Sequence, residues 1–324
     1  MPRQPRLDRP GLVHHVMARG IEGGDIFRCD EDRQGFLTRL TNEINKPDGP
    51  RLYAWALMSN HFHLLLRPGN GLLSPMMRRL MTGHAVSCNM RHKRKGHLFQ
   101  NRFKSIVVEE EPYFLELVRY IHLNPVRAGI VTSPEDLANY PFAGHSVILG
   151  NKDFAGQDVD AVLSRFSLQK TSAIRTYRDF VSAGFCQGSR NELRGGGLVR
   201  SAGGLAALLG CDPNERESSD ARILGRGDFV ESVLNEFECS GKTRINTIDN
   251  ILLTVSEQSG IKSQLILGTS RCRIVSAARR QFYRRAHEEA GATFAELGRK
   301  TGRSHTSVRE AILQARLELK EDKK

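Results

Sequence analysis

The chain has 324 residues, of which 39% are hydrophobic, with a mean hydropathy of −0.40. No run of about 18 apolar residues occurs, so no ordinary membrane span is expected, and MPRQPRLDRPG has no apolar stretch behind it, so no secretory signal is expected. A formal net charge of +12 and a pI near 9.7 point to a polyanionic partner, nucleic acid first, and the length predicts two or three domains.

In chain order, residues 11–20 (GLVHHVMARG) read as a strand turning at Gly20. Residues 30–46 start with acidic capping residues and place Phe36, Leu37, Leu40 and Ile44 at helical spacing. Residues 51–67 hold two apolar stretches around Met58-Ser59-Asn60, as paired antiparallel strands or one long bent strand. Residues 72–92 read as a basic helix and residues 98–110 as a strand. Pro112 then opens a helix through Tyr113, Leu117 and Tyr120 to Asn124, where Pro125 ends it. The order predicts an α+β domain, a split βαβ sandwich with a mostly antiparallel sheet, over residues 1–150. Residues 151–245 form a connecting region, with short amphipathic helix candidates (DAVLSRFSLQK, YRDFVSAGF, GRGDFVESVLNEFE) around a glycine-rich link, NELRGGGLVRSAGG. Residues 246–324 hold four helical segments broken at Gly260, Gly291 and Gly302, an all-α domain.

Charge and cysteines refine this. Between Gly69 and Val108 there is no Asp or Glu, while Arg78, Arg79, Arg91, Lys93, Arg94, Lys95, Arg102 and Lys104 all fall there. A merely soluble surface mixes the signs. Arg78, Arg79, Arg102 and Lys104 are expected to bind DNA, the last two, sharing one strand face, by phosphate contacts. The six cysteines are scattered with no CxxC pair, which suits reduced thiols in a cytoplasm and argues against a disulfide framework or a zinc site.

His61-Phe62-His63 carries the central chemistry. On a strand the two imidazoles share one face and Phe62 takes the other, so the pair can hold a divalent metal. An isolated HxH is more often a solvated strand face. The helix after Pro112 adds Tyr120 and Asn124, four apart and on one face. An amide oxygen suits Mg²⁺ or Mn²⁺. A phenol one turn away is a nucleophile once a cation or a base assists its ionisation. Tyr113, seven residues earlier, is a rival nucleophile. His15 sits on the first strand, where it either faces the site or is structural. His14 and His122 read as structural or solvent-facing, and Asn60 as an orienting group beside the pair.

The segments LVHHVMARG, DIFRCDEDRQGFL, YAWALMSNHFHLLLRP, GHLFQNRFKSIVVEE and RYIHLNPVRAGIV, in this order, resemble the single-tyrosine HUH transposase family over roughly residues 7–145, nearest its REP-associated tyrosine transposase branch. The resemblance implies a ferredoxin-like domain. It implies metal ligands at His61, His63 and Asn124, and a nucleophile at Tyr120. The activity it implies is cleavage of single-stranded or hairpin DNA through a 5′-phosphotyrosine intermediate, with a free 3′-hydroxyl for rejoining and Mg²⁺ or Mn²⁺ as the cofactor. Nuclease chemistry follows more firmly from it than mobility.

In the last domain TFAELGRKTGRSHTSVREAILQ fits a helix-turn-helix whose second helix is capped by Ser304 and buries Val308 and Ile312. SRCRIVSAARRQ and GRSHTSVREAI resemble the DNA-binding domain of the replication initiator DnaA, over about residues 246–318. That resemblance implies duplex readout by Arg303, Ser304, His305, Thr306, Ser307 and Arg309, with Arg271 or Arg273 at the minor groove or phosphates. No GxxxxGK[ST] segment occurs, so no ATPase is expected. The expected protein is a cytoplasmic, nucleoid-associated DNA endonuclease and strand transferase of open oligomeric state. The alternatives are a DNA-binding regulator that keeps the fold without turnover, and a replication or conjugation initiator using the same chemistry.

Overall fold

The computed structural model describes residues 6–185 and 219–321, without side-chain detail for residues 238–246 and from 319 onward. By packing, the chain divides into two units, Met1–Ser232 and Val233–Lys324.

The first unit follows the order β1 (Val13–Arg19), α1 (Asp30–Ile44), β2 (Arg51–Leu57), β3 (His61–Arg67), α2 (Leu73–Arg91), β4 (Lys104–Val108) and α3 (Glu110–His122). The sheet order is β2-β3-β1-β4-β5, with β5 (Ile223–Leu224) running parallel to β4 and the other pairs antiparallel. The first four strands are therefore ordered 4-1-3-2, the ferredoxin-like arrangement of a split βαβ unit. Of the two readings of residues 51–67, the antiparallel pair is the one adopted, with a register irregularity between Leu52 and Ala54.

Period-two alternation sends residues to two cores. Val16, Ala18, Phe62 and Leu64 pack under α1 and α2 with Phe36, Leu37, Leu40, Met77 and Leu80. Leu65, Ile106 and Val108 pack beneath α3 with Phe114, Leu117, Val118 and Ile121. Full burial of side chains such as Phe36 and Phe62 is worth about 1.5–3 kcal/mol each. This core fixes the strand register, because a one-residue slip would send Phe62 to the histidine face.

Local chemistry corrects two expected boundaries. The strand expected over 98–110 spans only Lys104–Val108. Before it, Leu98 and Phe99 bridge to Ile21 and Gly20 instead of extending the ladder. Pro125 does not close the helix. The helix ends at His122, and Pro125 lies in the first turn of α4 (Asn124–Arg127), where a missing N–H costs nothing. Gly20 is needed for close approach, since a Cβ there would meet the Gly24 carbonyl oxygen at 1.9 Å.

Beyond Gly150 the described chain stays with the first unit. Helices α5 (Pro134–Asn139), α6 (Gly144–Ile148), α7 (Val159–Leu163) and α8 (Lys170–Ser182) follow. Val162, Leu163, Ala173, Tyr177 and Val181 join the α3 core. Gln157 accepts from Trp55 Nε1 at 2.9 Å and donates to the Tyr53 carbonyl at 3.0 Å. The expected glycine-rich link at 191–204 lies outside the described residues.

Helix α9 (Gly227–Ser259) starts in the first unit and ends in the second. The second unit continues with α10 (Ser263–Leu267), α11 (Arg273–Glu289), α12 (Phe294–Thr301) and α13 (His305–Glu321) around a core of Val255, Ile266, Phe282, Leu297, Val308 and Ile312. A capping box at Thr293 and Glu296 starts α12, and Gly302 in the left-handed region (φ 64°) ends it. Ser304 Oγ accepts from the Ser307 amide at 3.2 Å and opens α13. No described helix is long and apolar enough to cross a membrane.

Candidate nucleic-acid interface and metal centre

The sheet register assembles the first site. His63 lies opposite Met17 on β1, Met17 lies opposite Lys104 on β4, and His61 lies opposite Arg19. Directly opposed residues share a face, so His61, His63, Arg19 and Lys104 stand on one side while Phe62 packs on the other. A cleft of about 500 Å³ opens there, lined by Arg19, Asn60, His61, His63, Arg102 and Lys104, among others. Of the four DNA-binding candidates in this stretch, Arg102 and Lys104 reach this cleft and both are exposed, although only Lys104 lies within the strand. Arg78 and Arg79 do not line it. Arg79 forms a forked pair with Glu43, Nε to Oε1 at 2.9 Å and Nη2 to Oε2 at 2.6 Å. The acid-free run in the sequence is thus not acid-free in space: Glu43 and Asp32 on α1 meet Arg79 and Arg91 on α2.

Hydrogen bonds set which histidine nitrogens face outward. Asn60 Nδ2 donates to the Gly23 carbonyl at 3.0 Å, so its Oδ1 turns to His61 Nδ1 at 2.6 Å. The amide oxygen can only accept, so His61 carries its proton on Nδ1 and its lone pair on Nε2. His63 Nδ1 lies 2.8 Å from Nε2 of the fully buried His15, leaving Nε2 of His63 as its second ring nitrogen. His15, one of the open cases in the sequence, faces His63. His122 lies elsewhere, buried with Nδ1 2.8 Å from Tyr177 Oη. His14 is also buried, and desolvation, outweighing Asp8 and the Arg9 backbone, lowers it to about 4.

Helix α3 brings Tyr120 against this face. Its ring meets those of His63 and His15 edge-on, each with centroids 6.0 Å apart. Tyr120 is 2% exposed and does not line the cleft. Asn124 Nδ2 donates to the carbonyls of Tyr120 at 2.9 Å and Ile121 at 3.3 Å, closing the end of α3 and leaving Oδ1 as the ligand-capable atom. Tyr113, the rival nucleophile, packs against the α3 core at the opposite end of the helix, seven residues from Tyr120. Arg127 was missed by the sequence reading. Its guanidinium lies 4.7 Å from the Tyr120 ring centroid, and Nη1 donates to the Tyr120 carbonyl at 2.8 Å. Its position seven residues after Tyr120, in the turn that follows α3, was the available signal.

By chemistry these donors suit a hard or borderline divalent ion: two imidazole Nε2 atoms with their other nitrogens engaged, and an amide oxygen whose NH₂ is already spent, although Asn124 is buried and does not line the cleft.

Residues 13–124 match the family described as "Transposase IS200 like". The match spans about a third of the chain and takes in β1 to the start of α4, with His61, His63, Tyr120 and Asn124 inside it. No curated protein matches the chain. A solved structure titled "Structure of the REP associates tyrosine transposase bound to a REP hairpin" is similar at 16% identity and TM-score 0.39, covering 49% of this chain and 98% of that one.

In the second unit Ser304, His305, Thr306, Ser307 and Arg309 are exposed around the start of α13, and Arg271 and Arg273 are exposed at the start of α11. Arg303 is half-buried, with Nη2 3.3 Å from the Thr269 carbonyl. Arg279, unremarked in the sequence, is 3% exposed and donates to the carbonyls of Ile266, Leu265 and Ser270 at 2.6–2.9 Å. It fastens the segment that presents Arg271.

Proposed function

We propose that the first unit cuts and rejoins single-stranded DNA, including hairpin ends, through a covalent bond between Tyr120 and a 5′-phosphate. The observation that carries this is the packing of Tyr120 against His63 on the face where His61 and His63 line a cationic cleft. Tyr120 Oη forms a bond to phosphorus while the bond from phosphorus to the bridging 3′ oxygen breaks. The phenol proton is lost and the leaving oxygen gains one, so a free 3′-hydroxyl remains for rejoining. Nε2 of His61, Nε2 of His63 and Oδ1 of Asn124 would hold a Mg²⁺ or Mn²⁺ ion. When bound, that ion polarises the phosphate and eases ionisation of the phenol. Arg102 and Lys104 hold the strand by its phosphates, and Arg127 lays positive charge on the tyrosine ring. With Tyr120 2% exposed, productive binding requires the α3 side of the cleft to open.

The second unit delivers this chemistry to a duplex. Its capped α12–α13 pair exposes polar and cationic side chains at the start of α13, where a helix-turn-helix meets bases. Arg271, Arg273 and Arg309 supply phosphate or groove contacts.

The test is incubation of the protein with labelled hairpin or single-stranded DNA and Mn²⁺, followed by a denaturing gel. A covalent adduct is expected, lost in Tyr120→Phe and kept in Tyr113→Phe. No adduct from the wild-type chain, or one that survives Tyr120→Phe, refutes the reading. A duplex-binding regulator without turnover would form none and still bind DNA.

A further inference from the structure

Outside the histidine cleft, Cys29, Asp32 and His92 bring a thiol sulfur, a carboxylate oxygen and a ring nitrogen within 4.8 Å of one another. Cys29 is the N-cap of α1, Asp32 lies in its first turn, and His92 caps α2. Cys29 Sγ is 3.8 Å from His92 Nε2, and the same Nε2 is 2.7 Å from Asp32 Oδ2. A nucleophile relay would use both ring nitrogens, one toward the thiol and one toward the acid. Here one nitrogen faces both, so the three atoms converge on a point.

The spacing suits an ion. With Zn–S about 2.3 Å and Zn–N or Zn–O about 2.0–2.1 Å, a tetrahedral centre separates S from N by about 3.5 Å and N from O by about 3.3 Å. The sulfur–nitrogen gap already fits, and the nitrogen–oxygen gap needs to open by roughly 0.6 Å. Asp32 is pre-oriented for this. Its side chain is fully buried, its Oδ1 takes the Arg91 guanidinium, and the Arg28 amide donates to Oδ2 at 3.0 Å. Burial alone would raise its pKa, but the hydrogen bonds from Arg28, His92 and Arg91 outweigh that and hold it at about 2. A metal-ligating carboxylate is commonly held by a second donor in this way. Cys29 and His92 are half-buried, which leaves an entry path.

We propose that Cys29, Asp32 and His92 form a second metal site, separate from the histidine cleft, for a borderline-soft divalent cation of the zinc type with water as fourth ligand. A thiolate, an imidazole and a carboxylate select such an ion over Mg²⁺. Binding releases the thiol proton to solvent. The site clamps the end of α2 to the start of α1. Two segments that flank the cleft leave from this clamp: residues 20–28, whose Gly23 carbonyl holds Asn60, and residues 93–103, which reach Arg102. Scattered cysteine spacing hid the site, because Cys29 and His92 lie 63 residues apart.

The test is titration of reduced, chelator-treated full-length protein with Co²⁺, read as the thiolate-to-cobalt charge-transfer absorption in the near ultraviolet. The band is expected in the wild type and in a His61→Ala/His63→Ala double variant. It should be lost in Cys29→Ser and strongly reduced in His92→Gln. The histidine cleft has no thiolate, so the band does not report on the cleft, whatever the adduct assay shows. Absence of the band in the wild type means a hydrogen-bonded ion-pair cluster only. Persistence in Cys29→Ser means another thiol binds the ion. Either result overturns the proposal.

Discussion

Asn60→Ala isolates the orientation of His61 from the identity of the ligands. Asn60 Oδ1 accepts from His61 Nδ1 at 2.6 Å, while Nδ2 is anchored on the Gly23 carbonyl at 3.0 Å. The backbone bonds of this turn, Gly20 N to Asn60 O and Ile26 N to Ser59 O, do not involve the side chain and survive the change. What is lost is one acceptor that keeps the proton on Nδ1. An imidazole without that acceptor carries its proton mainly on Nε2, the atom the metal needs. Loss of such an outer partner costs about 10–100-fold in metal affinity, or roughly 1.4–2.8 kcal/mol. The assay is adduct formation against Mn²⁺ concentration. The midpoint should rise about 10–100-fold in Asn60→Ala, while the rate at saturating metal stays close to wild type. Asn60→Asp keeps an acceptor for His61 Nδ1 but loses the anchor on the Gly23 carbonyl, so it should recover only part of the wild-type midpoint. An unchanged midpoint in Asn60→Ala, or a lost plateau, would refute the tautomer argument.

Two further outcomes test other links. For phosphate contact, the Arg102→Ala/Lys104→Ala pair should lower the slope of log affinity against log salt for single-stranded DNA by about 1.4; Arg79→Ala, whose partner is Glu43, should leave that slope unchanged and lower thermal stability. For acid stability, His14 and His145 are held at about 4 in the fold by burial, and each takes a proton near 6.5 once unfolded. The unfolded chain then binds more protons between those values, so stability is full above pH 6.5 and falls toward pH 4, by roughly 3 kcal/mol per histidine. Urea midpoints measured from pH 7.5 to 4.5 should show this, and a flat profile down to pH 5 would contradict it.

The legible parts of this chain were those with short-range signals. Alternation around Phe62 and the spacing of Phe36, Leu37 and Leu40 gave β3 and α1 within a residue or two. The Ser304 cap and the Gly302 stop gave the α12–α13 turn. The HxH pattern put His61 and His63 on one face, and that is where the register places them. What stayed hidden depended on distant partners. Arg79 reads as a free cation until Glu43 arrives from another helix. The end of α3 turns on Asn124, whose amide serves as a C-terminal cap for Tyr120 and Ile121. Gln157 satisfies Trp55 across 102 residues, a pairing no local pattern encodes.

Under the proposed metal binding, the two cleft histidines differ in how their tautomers are set. Asn60 has a fixed acceptor, so the tautomer of His61 is set before any ion arrives. His63 is paired with another imidazole, and a single proton lies between His15 Nε2 and His63 Nδ1 over 2.8 Å. Either ring can hold it. An ion on His63 Nε2 requires that proton on Nδ1, which makes His15 Nε2 the acceptor and moves the proton of a neutral His15 to its own Nδ1. His15 is fully buried, so its ring cannot turn to water to resolve the conflict. The pair therefore couples metal occupancy to a proton position one residue deeper in the sheet. That deeper ring also meets Tyr120, with centroids 6.0 Å apart. Tyr120, the proposed nucleophile, His63, the proposed ligand, and His15 thus form one packed cluster, on a sheet face whose register is fixed by Phe62 on the other side.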